Sequence, residues 1–187
     1  MRAAILLMTL ASTLGACKDQ APKGEAKGEA KGEGEAKGDG PVGALSTYKA
    51  KTMASEAKVN VAGIVSRVRL HFEEERMDPS TLTVTTGTLP KSAPLTPPAG
   101  TCCKQPDGKC PPDLGDWSHE TWKALQFQPA DPHRYSYEVV VEGQQITVRA
   151  VGDLDCDGET STYESVGTVV DGALQFSPEL TETSPLE

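Results

Sequence analysis

The segment DLDCDGETSTYE, residues 153–164, places oxygen-bearing side chains at the spacing of a calcium-binding loop. Aspartates occupy the first, third and fifth positions, and a glycine at the sixth allows a sharp turn. The seventh position would offer its backbone carbonyl, the ninth a hydroxyl and the twelfth a bidentate carboxylate. We predict one structural Ca²⁺ ion here, bound by Asp153, Asp155, Asp157, Glu159, Ser161 and Glu164.

Two alternatives to calcium are weaker. Alternating acids also occur in solvated turns, but the four ligating carboxylates of this short segment would repel one another without a cation. Mg²⁺ demands tight octahedral geometry and retains its waters, so it fits such a loop less well. Because strands are predicted on both sides of the loop, the ion would act as a structural clip and not as a helix-pair switch.

Four cysteines follow the N-terminal region, an even number that indicates disulfides in an exported domain. Neighbouring cysteines rarely bridge each other, because the ring so formed is strained. Two pairings therefore remain open: Cys102–Cys110 with Cys103–Cys156, or Cys103–Cys110 with Cys102–Cys156. The second is slightly favoured. In both, the acidic loop is tied to a proline-rich segment.

Other side chains offer little chemistry. Zinc held by three thiols with His119 or His133 is an alternative to the disulfides, but the cysteine spacing matches no common zinc pattern. We expect these two histidines to cap an element or lie at the surface, and His71 to be solvated. Trp117 and Trp122 are interpreted as core or as side chains that cover a loop, and not as a ligand-binding face. We find no catalytic pattern and predict no enzyme, and the net charge of −9 argues against a nucleic-acid partner.

The N-terminus has the features of an export signal. Arg2 precedes an apolar run, residues 3–14, that is too short to span a bilayer. The run ends in LGAC, which resembles the lipobox of bacterial lipoproteins. The resemblance implies that residues 1–16 are removed and that Cys17 is acylated, which gives stable membrane anchoring. Lys18 follows the cysteine in place of the aspartate that retains enteric lipoproteins at the inner membrane, so the resemblance implies the outer membrane of the cell envelope.

A repetitive spacer follows at residues 17–43. The unit KGEA recurs from Lys23, and a glycine in nearly every fourth place opposes helix formation. Since the spacer lacks large apolar side chains, it is predicted to be disordered and to hold the folded domain about 25–30 Å from the lipid.

Residues 44–187 are predicted to form one α+β domain. Residues 44–78 contain one apolar stripe at helical spacing: Met53, Ala57, Val61, Ile64, Val68 and Phe72. A long loop with eight prolines follows, with one strand at residues 82–86 and a short helix at residues 117–127 that Ser118 would cap. Four antiparallel strands then form two hairpins: residues 135–142, 145–151, 162–170 and 173–176.

The helix sequence SEAKVNVAGIVSRVRLHFEEE, residues 55–75, resembles the helix of type IV pilins and pseudopilins. WKALQF, YSYEVV and ITVRAVGDLDCDG, within residues 122–158, are similar to the globular half of pilin-like proteins of deltaproteobacteria. The resemblance implies a pilin-like fold with calcium near the end of the sheet, as in secretion pseudopilins. The apolar helical half that builds pilin fibres is absent, so we expect a monomer that forms no filament by itself.

Three functions are therefore considered. The favoured one is a non-catalytic surface lipoprotein that presents a calcium-stabilised, pilin-like interaction domain. The alternative is an accessory or minor subunit of a type IV pilus or a type II secretion pseudopilus, which would make proteins of those systems its partners. The third, an enzyme on the secreted side, has the least support in the sequence.

Overall fold

The computed structural model describes residues 41–77 and 79–187. The predicted signal sequence, Cys17 and the spacer up to residue 40 lie outside the described residues. Within them, the fold is a long helix on one face of an antiparallel sheet, which confirms the α+β class.

Helix α1 spans Pro41–Glu73 and so differs from the predicted range of 44–78 at both ends. It begins earlier because Pro41 fits the first turn of a helix, where the missing N–H is not needed. It ends earlier because β1 (Arg76–Met77) turns back to pair with β2 (Val84–Thr85). The guanidinium of Arg76 donates to the carbonyl of His71 at 3.0 Å and so satisfies a free acceptor of the last turn.

The predicted stripe of α1 is its buried face. Five of its six side chains are 5 % exposed or less, and Met53 is half-buried. Ala54 joins them at 4 % exposure. Ala54, Ala57, Val61, Ile64 and Val68 share one core with large side chains from the rest of the domain: Trp122, Tyr135, Tyr137, Val139, Ile146, Val148 and Tyr163.

The main sheet has six strands where four were predicted. Its order is β3-β4-β5-β6-β7, with β8 also paired to β6. The strand bounds are β3 Ala93–Thr96, β4 Ser136–Glu142, β5 Gln145–Gly152, β6 Ser161–Val170, β7 Ala173–Phe176 and β8 Thr181–Thr183.

The two additional strands carry weak sequence signals. Strand β3 contains Pro94, and a proline is tolerated there because β3 lies at the edge of the sheet. Strand β8 has only three residues. The hairpins at Gly143–Gln144 and Asp171–Gly172 are confirmed, since Glu142 pairs with Gln145 and Val170 with Ala173.

All four cysteines of the domain are in disulfides, but the slightly favoured pairing was wrong. The bonds are Cys102–Cys110 and Cys103–Cys156. Cys102 and Cys103 begin a 3-10 turn, which directs adjacent side chains to different sides. Cys102 is therefore buried against Cys110, while Cys103 faces the acidic loop.

Helix α2 is shorter than predicted and has a different cap. It spans Glu120–Ala124, and Nδ1 of His119 accepts from the N–H of Thr121 at 3.3 Å. Ser118, the predicted cap, instead donates to the carboxylate of Asp116. Trp122 lies within α2, is 1 % exposed, and donates its indole N–H to Thr96 Oγ1 at 3.0 Å. This burial confirms that Trp122 belongs to the core.

Gly152 is a site where the fold tolerates no side chain. A Cβ at this position would lie 2.6 Å from ring atoms of Tyr135, which is itself fully buried. We expect Gly152→Ala to lower the free energy of unfolding by about 1–3 kcal/mol, because overpacking displaces the ring. The midpoint of urea unfolding measures this effect.

Gly63→Ala is the matched control. Gly63 lies in α1 with no atom within 4 Å of its added Cβ, so alanine should raise stability by up to about 1 kcal/mol. Equal midpoints for the Gly152→Ala chain and the native chain would contradict the close approach of Tyr135.

Candidate metal centre

The acidic loop, residues 153–160, connects two paired strands. β5 and β6 pair as far as Gly152 and Ser161, so the loop begins and ends at one point of the sheet. Its three aspartates converge: each of Asp153, Asp155 and Asp157 contributes a carboxylate oxygen to a group whose members lie within 4.8 Å of one another. Carboxylate oxygens are the donors that a hard cation such as Ca²⁺ prefers, so these three residues suit the predicted ion.

Backbone hydrogen bonds orient two of these carboxylates. Asp153 accepts from the N–H of Cys156 at 2.6 Å through Oδ1 and from the N–H of Gly158 at 3.0 Å through Oδ2. Asp157 Oδ1 accepts from the N–H of Glu159 at 2.8 Å. Each oxygen keeps a further lone pair, so these bonds fix the carboxylates without using up their capacity for a cation.

The predicted glycine has the expected backbone. Gly158 has φ of +103°, a region that L side chains rarely adopt, and it carries the chain back towards the sheet. Cys156 has φ of +64° and is held by its disulfide to Cys103. Leu154 packs against the core from within the loop. The loop is thus fixed at two of its positions.

Ser161 does not join the aspartates. It lies in β6 and is fully buried, and its hydroxyl lies 3.2 Å from both the Tyr135 hydroxyl and the Gly152 carbonyl. The position-nine ligand of the predicted set therefore points into the core. The position-seven residue, Glu159, is exposed and stays in the loop.

Like Ser161, the side chain of Glu164 does not join the three aspartates. It stands opposite Arg149 in the register of β5 and β6, and its carboxylate bonds the guanidinium, which also bonds Glu138. The template assumes a helix after the loop, which would bring positions nine and twelve towards the same ion. In a strand, residues three apart lie on opposite faces, so Ser161 and Glu164 diverge. The structure assembles the three aspartates and not the full predicted set.

The histidines take three different environments. His119 caps α2, in agreement with one predicted role. His71 is half-buried with Nδ1 2.9 Å from an Arg76 nitrogen, so the prediction of a solvated ring was wrong. His133 is 2 % exposed, which corrects the predicted capping or surface role.

Sequence reasoning missed a polar contact at Glu56. Its Oε1 accepts from the N–H groups of Arg134 and Tyr135 at 2.9 and 3.2 Å, and from the Tyr137 hydroxyl at 3.4 Å. Asn60, one turn later, donates to the same hydroxyl at 2.7 Å. The contact joins α1 to the start of β4. A lone glutamate beside an apolar stripe carries no pattern that would have revealed it.

Burial raises the pKa of Glu56 above its ordinary value of 4.5, although the bonds from Arg134 and Tyr135 oppose the shift. The groups around the carboxyl thus do not fully replace the water that it loses on folding.

Comparison with known proteins gives no relative. No protein-family model, no curated protein and no solved structure matches this chain significantly. Within residues 41–77 and 79–187, no helix has both the length and the apolar character needed to cross a bilayer.

Calcium is expected to stabilise the domain through the aspartate cluster. If Ca²⁺ binds only the folded chain, 100-fold excess over its dissociation constant adds about 2.7 kcal/mol to the free energy of unfolding. Thermal melting with Ca²⁺ and then with chelator measures the difference, and Asp155→Asn should abolish most of it. Because the cluster lacks Glu164, we expect binding at the weak end of calcium sites, about 10⁻⁴–10⁻³ M.

Asp113→Asn is the matched control for charge, since Asp113 is exposed and lies outside the cluster. This variant should keep the full calcium-dependent shift. A melting temperature that chelator leaves unchanged in the native chain would contradict the site.

The raised pKa of Glu56 predicts a pH dependence. The pKa of Glu56 is higher in the folded chain than in the unfolded chain. Its contribution to the free energy of unfolding is therefore fully present below the unfolded pKa and is lost as pH rises through the folded pKa. The Glu56→Gln variant does not titrate at this position. The free energy of unfolding of the native chain minus that of the variant should therefore be largest at about pH 4 and smallest at about pH 7. Urea unfolding at both pH values gives this difference.

Glu73→Gln, at an exposed position of the same helix, controls for loss of charge. The prediction fails if the free energy of unfolding of the native chain minus that of Glu56→Gln is independent of pH or increases as pH rises.

Proposed function

We propose that this chain is a non-catalytic bacterial lipoprotein that presents a calcium-stabilised, pilin-like interaction domain. In this proposal Cys17 carries the lipid, the spacer separates the domain from the outer membrane, and the domain contacts a partner in the cell envelope. The signal-like N-terminus and the LGAC motif support the anchor. The domain acts as a monomer.

The single observation that carries the proposal is the aspartate cluster at the end of a helix-backed antiparallel sheet. The position agrees with the calcium site that the resemblance to secretion pseudopilins implies. Here Cys103–Cys156 links the same loop to the long proline-rich segment. A bound ion would therefore stiffen both the β5–β6 connection and the segment disulfide-bonded to it.

The environments of the histidines support a non-catalytic role. His119 is engaged as a helix cap and His71 contacts Arg76. His133 is enclosed in the core, where a substrate could not reach it without local opening. The aspartates accept backbone hydrogen bonds at one loop, an arrangement suited to binding a cation.

An accessory role in a pilus or pseudopilus is the second candidate, and the outer face of the sheet favours it. Helix α1 covers the inner face, whereas Val140, Thr147 and Val166 on the outer face are only half-buried. β-branched side chains on a half-exposed sheet face form a surface on which another protein can pack.

The anchor and the partner are tested in one experiment in a bacterium that carries the chain natively. The tagged full chain should incorporate labelled palmitate and fractionate with the outer membrane, while Cys17→Ser should do neither. A soluble native chain without label would overturn the lipoprotein assignment.

Crosslinking followed by purification then separates the two candidate functions. Pilus or secretion-system components recovered with the native chain would favour the accessory-subunit function. Lysine at Val166 should abolish that recovery, because it places a charge at the centre of the outer face. Lysine at the exposed Val59 of α1 is the control and should leave recovery unchanged.

A further inference from the structure

Another group of metal-ligating atoms is buried and shares no residue with the aspartate group. It consists of the sulfurs of Cys102 and Cys110 and a ring nitrogen of His133, all within 4.8 Å of one another. The three residues are 5, 0 and 2 % exposed. In the oxidised chain the two sulfurs are bonded to each other.

The backbone holds two of these residues together independently of the disulfide. Cys110 and His133 form an antiparallel bridge in which each N–H donates to the other's carbonyl, at 2.8 and 2.9 Å. Residues directly opposite in such a pair project their side chains to the same face. Reduction of the disulfide would therefore leave Cys110 and His133 side by side.

Cys102 is held near them by local structure. It opens a 3-10 turn in which its carbonyl accepts from the N–H of Gln105 at 2.9 Å. It is separated from Cys110 by only eight positions, so bringing the two thiols together in the reduced chain costs little loop-closure entropy.

One ring nitrogen of His133 lies within 4.8 Å of both sulfurs. Neither ring nitrogen makes a hydrogen bond to the described residues, although buried polar groups almost always have a partner. Its ring packs between Trp117 and Tyr137, at centroid distances of 6.0 and 6.3 Å. Aromatic packing on these sides fixes the imidazole without satisfying its nitrogens.

We propose that the reduced chain binds one Zn²⁺ ion through Cys102, Cys110 and His133. A dithiol reductant supplies two electrons and two protons, which convert the S–S bond into two thiols while the reductant itself becomes a disulfide. Zn²⁺ then displaces both thiol protons and accepts the imidazole lone pair, so two protons are released for each ion bound. A disulfide oxidant that accepts two electrons from the two thiolates re-forms the S–S bond and releases Zn²⁺, and the oxidant is reduced to thiolates.

Zn²⁺ suits this donor set because thiolate and imidazole are its usual ligands. Two thiolates and one imidazole leave a fourth tetrahedral position for water or an added thiol. Carboxylates are absent from this group, which separates it from the oxygen-rich aspartate loop that would take calcium. The two sites would therefore select different metals within one domain.

The test uses the reduced full chain carrying Cys17→Ser, with Co²⁺ as the spectroscopic probe for Zn²⁺. One cobalt ion per chain should bind with a thiolate-to-metal absorption band, and Zn²⁺ should displace it. The oxidised chain should show no such band. Alkylation followed by mass spectrometry should show Cys102 and Cys110 protected by Zn²⁺ while Cys103 and Cys156 react.

Two histidine variants isolate the imidazole. His133→Gln should weaken cobalt binding by at least about tenfold, whereas His119→Gln, at the α2 cap, should bind as the parent does. Circular dichroism reports whether each variant folds. If His133→Gln is unfolded, the protection pattern of the parent chain decides alone. Protection confined to Cys103 and Cys156, or absent from all four cysteines, would overturn the proposal.

Discussion

Ala57, Val61 and Ile64 of helix α1 pack against the inner face of the sheet, and the other elements depend on this contact. The small and β-branched side chains leave room for the large rings of Tyr135, Tyr137 and Tyr163. Beside them, Glu56 reaches past the apolar face to the first N–H groups of the β4 region. The contact fixes the sheet, and the sheet fixes where the β5–β6 loop begins and ends.

The elements predicted correctly from the sequence are those in which apolar residues recur at a regular spacing. The helix follows from six apolar residues at helical spacing, and the two hairpins follow from alternation around a turn dipeptide. The elements that it missed lack such repetition. Strand β3 contains a proline, β8 is very short, and the end of α1 is decided by the pairing of Arg76–Met77 with a distant segment. Those outcomes depend on tertiary contacts.

The candidate site shows the same limit at the level of single side chains. Spacing correctly placed Asp153, Asp155 and Asp157 together, because residues in one tight loop stay close whatever follows it. It failed for Ser161 and Glu164, because the strand after the loop sends them to opposite faces. Glu56 and His133 had no neighbouring pattern. Their roles arise from partners more than 20 positions away in the chain, which sequence spacing does not reveal.

We propose that three aspartates at the end of β5 hold one calcium ion, with backbone carbonyls and water in place of the missing Glu164. The most direct measurement is a crystal structure of the domain grown in millimolar CaCl₂, with anomalous scattering to identify the ion. We expect a peak between Asp153, Asp155 and Asp157, with metal–oxygen distances of about 2.3–2.6 Å. Carboxylates that point apart into solvent, with no ion between them, would contradict it.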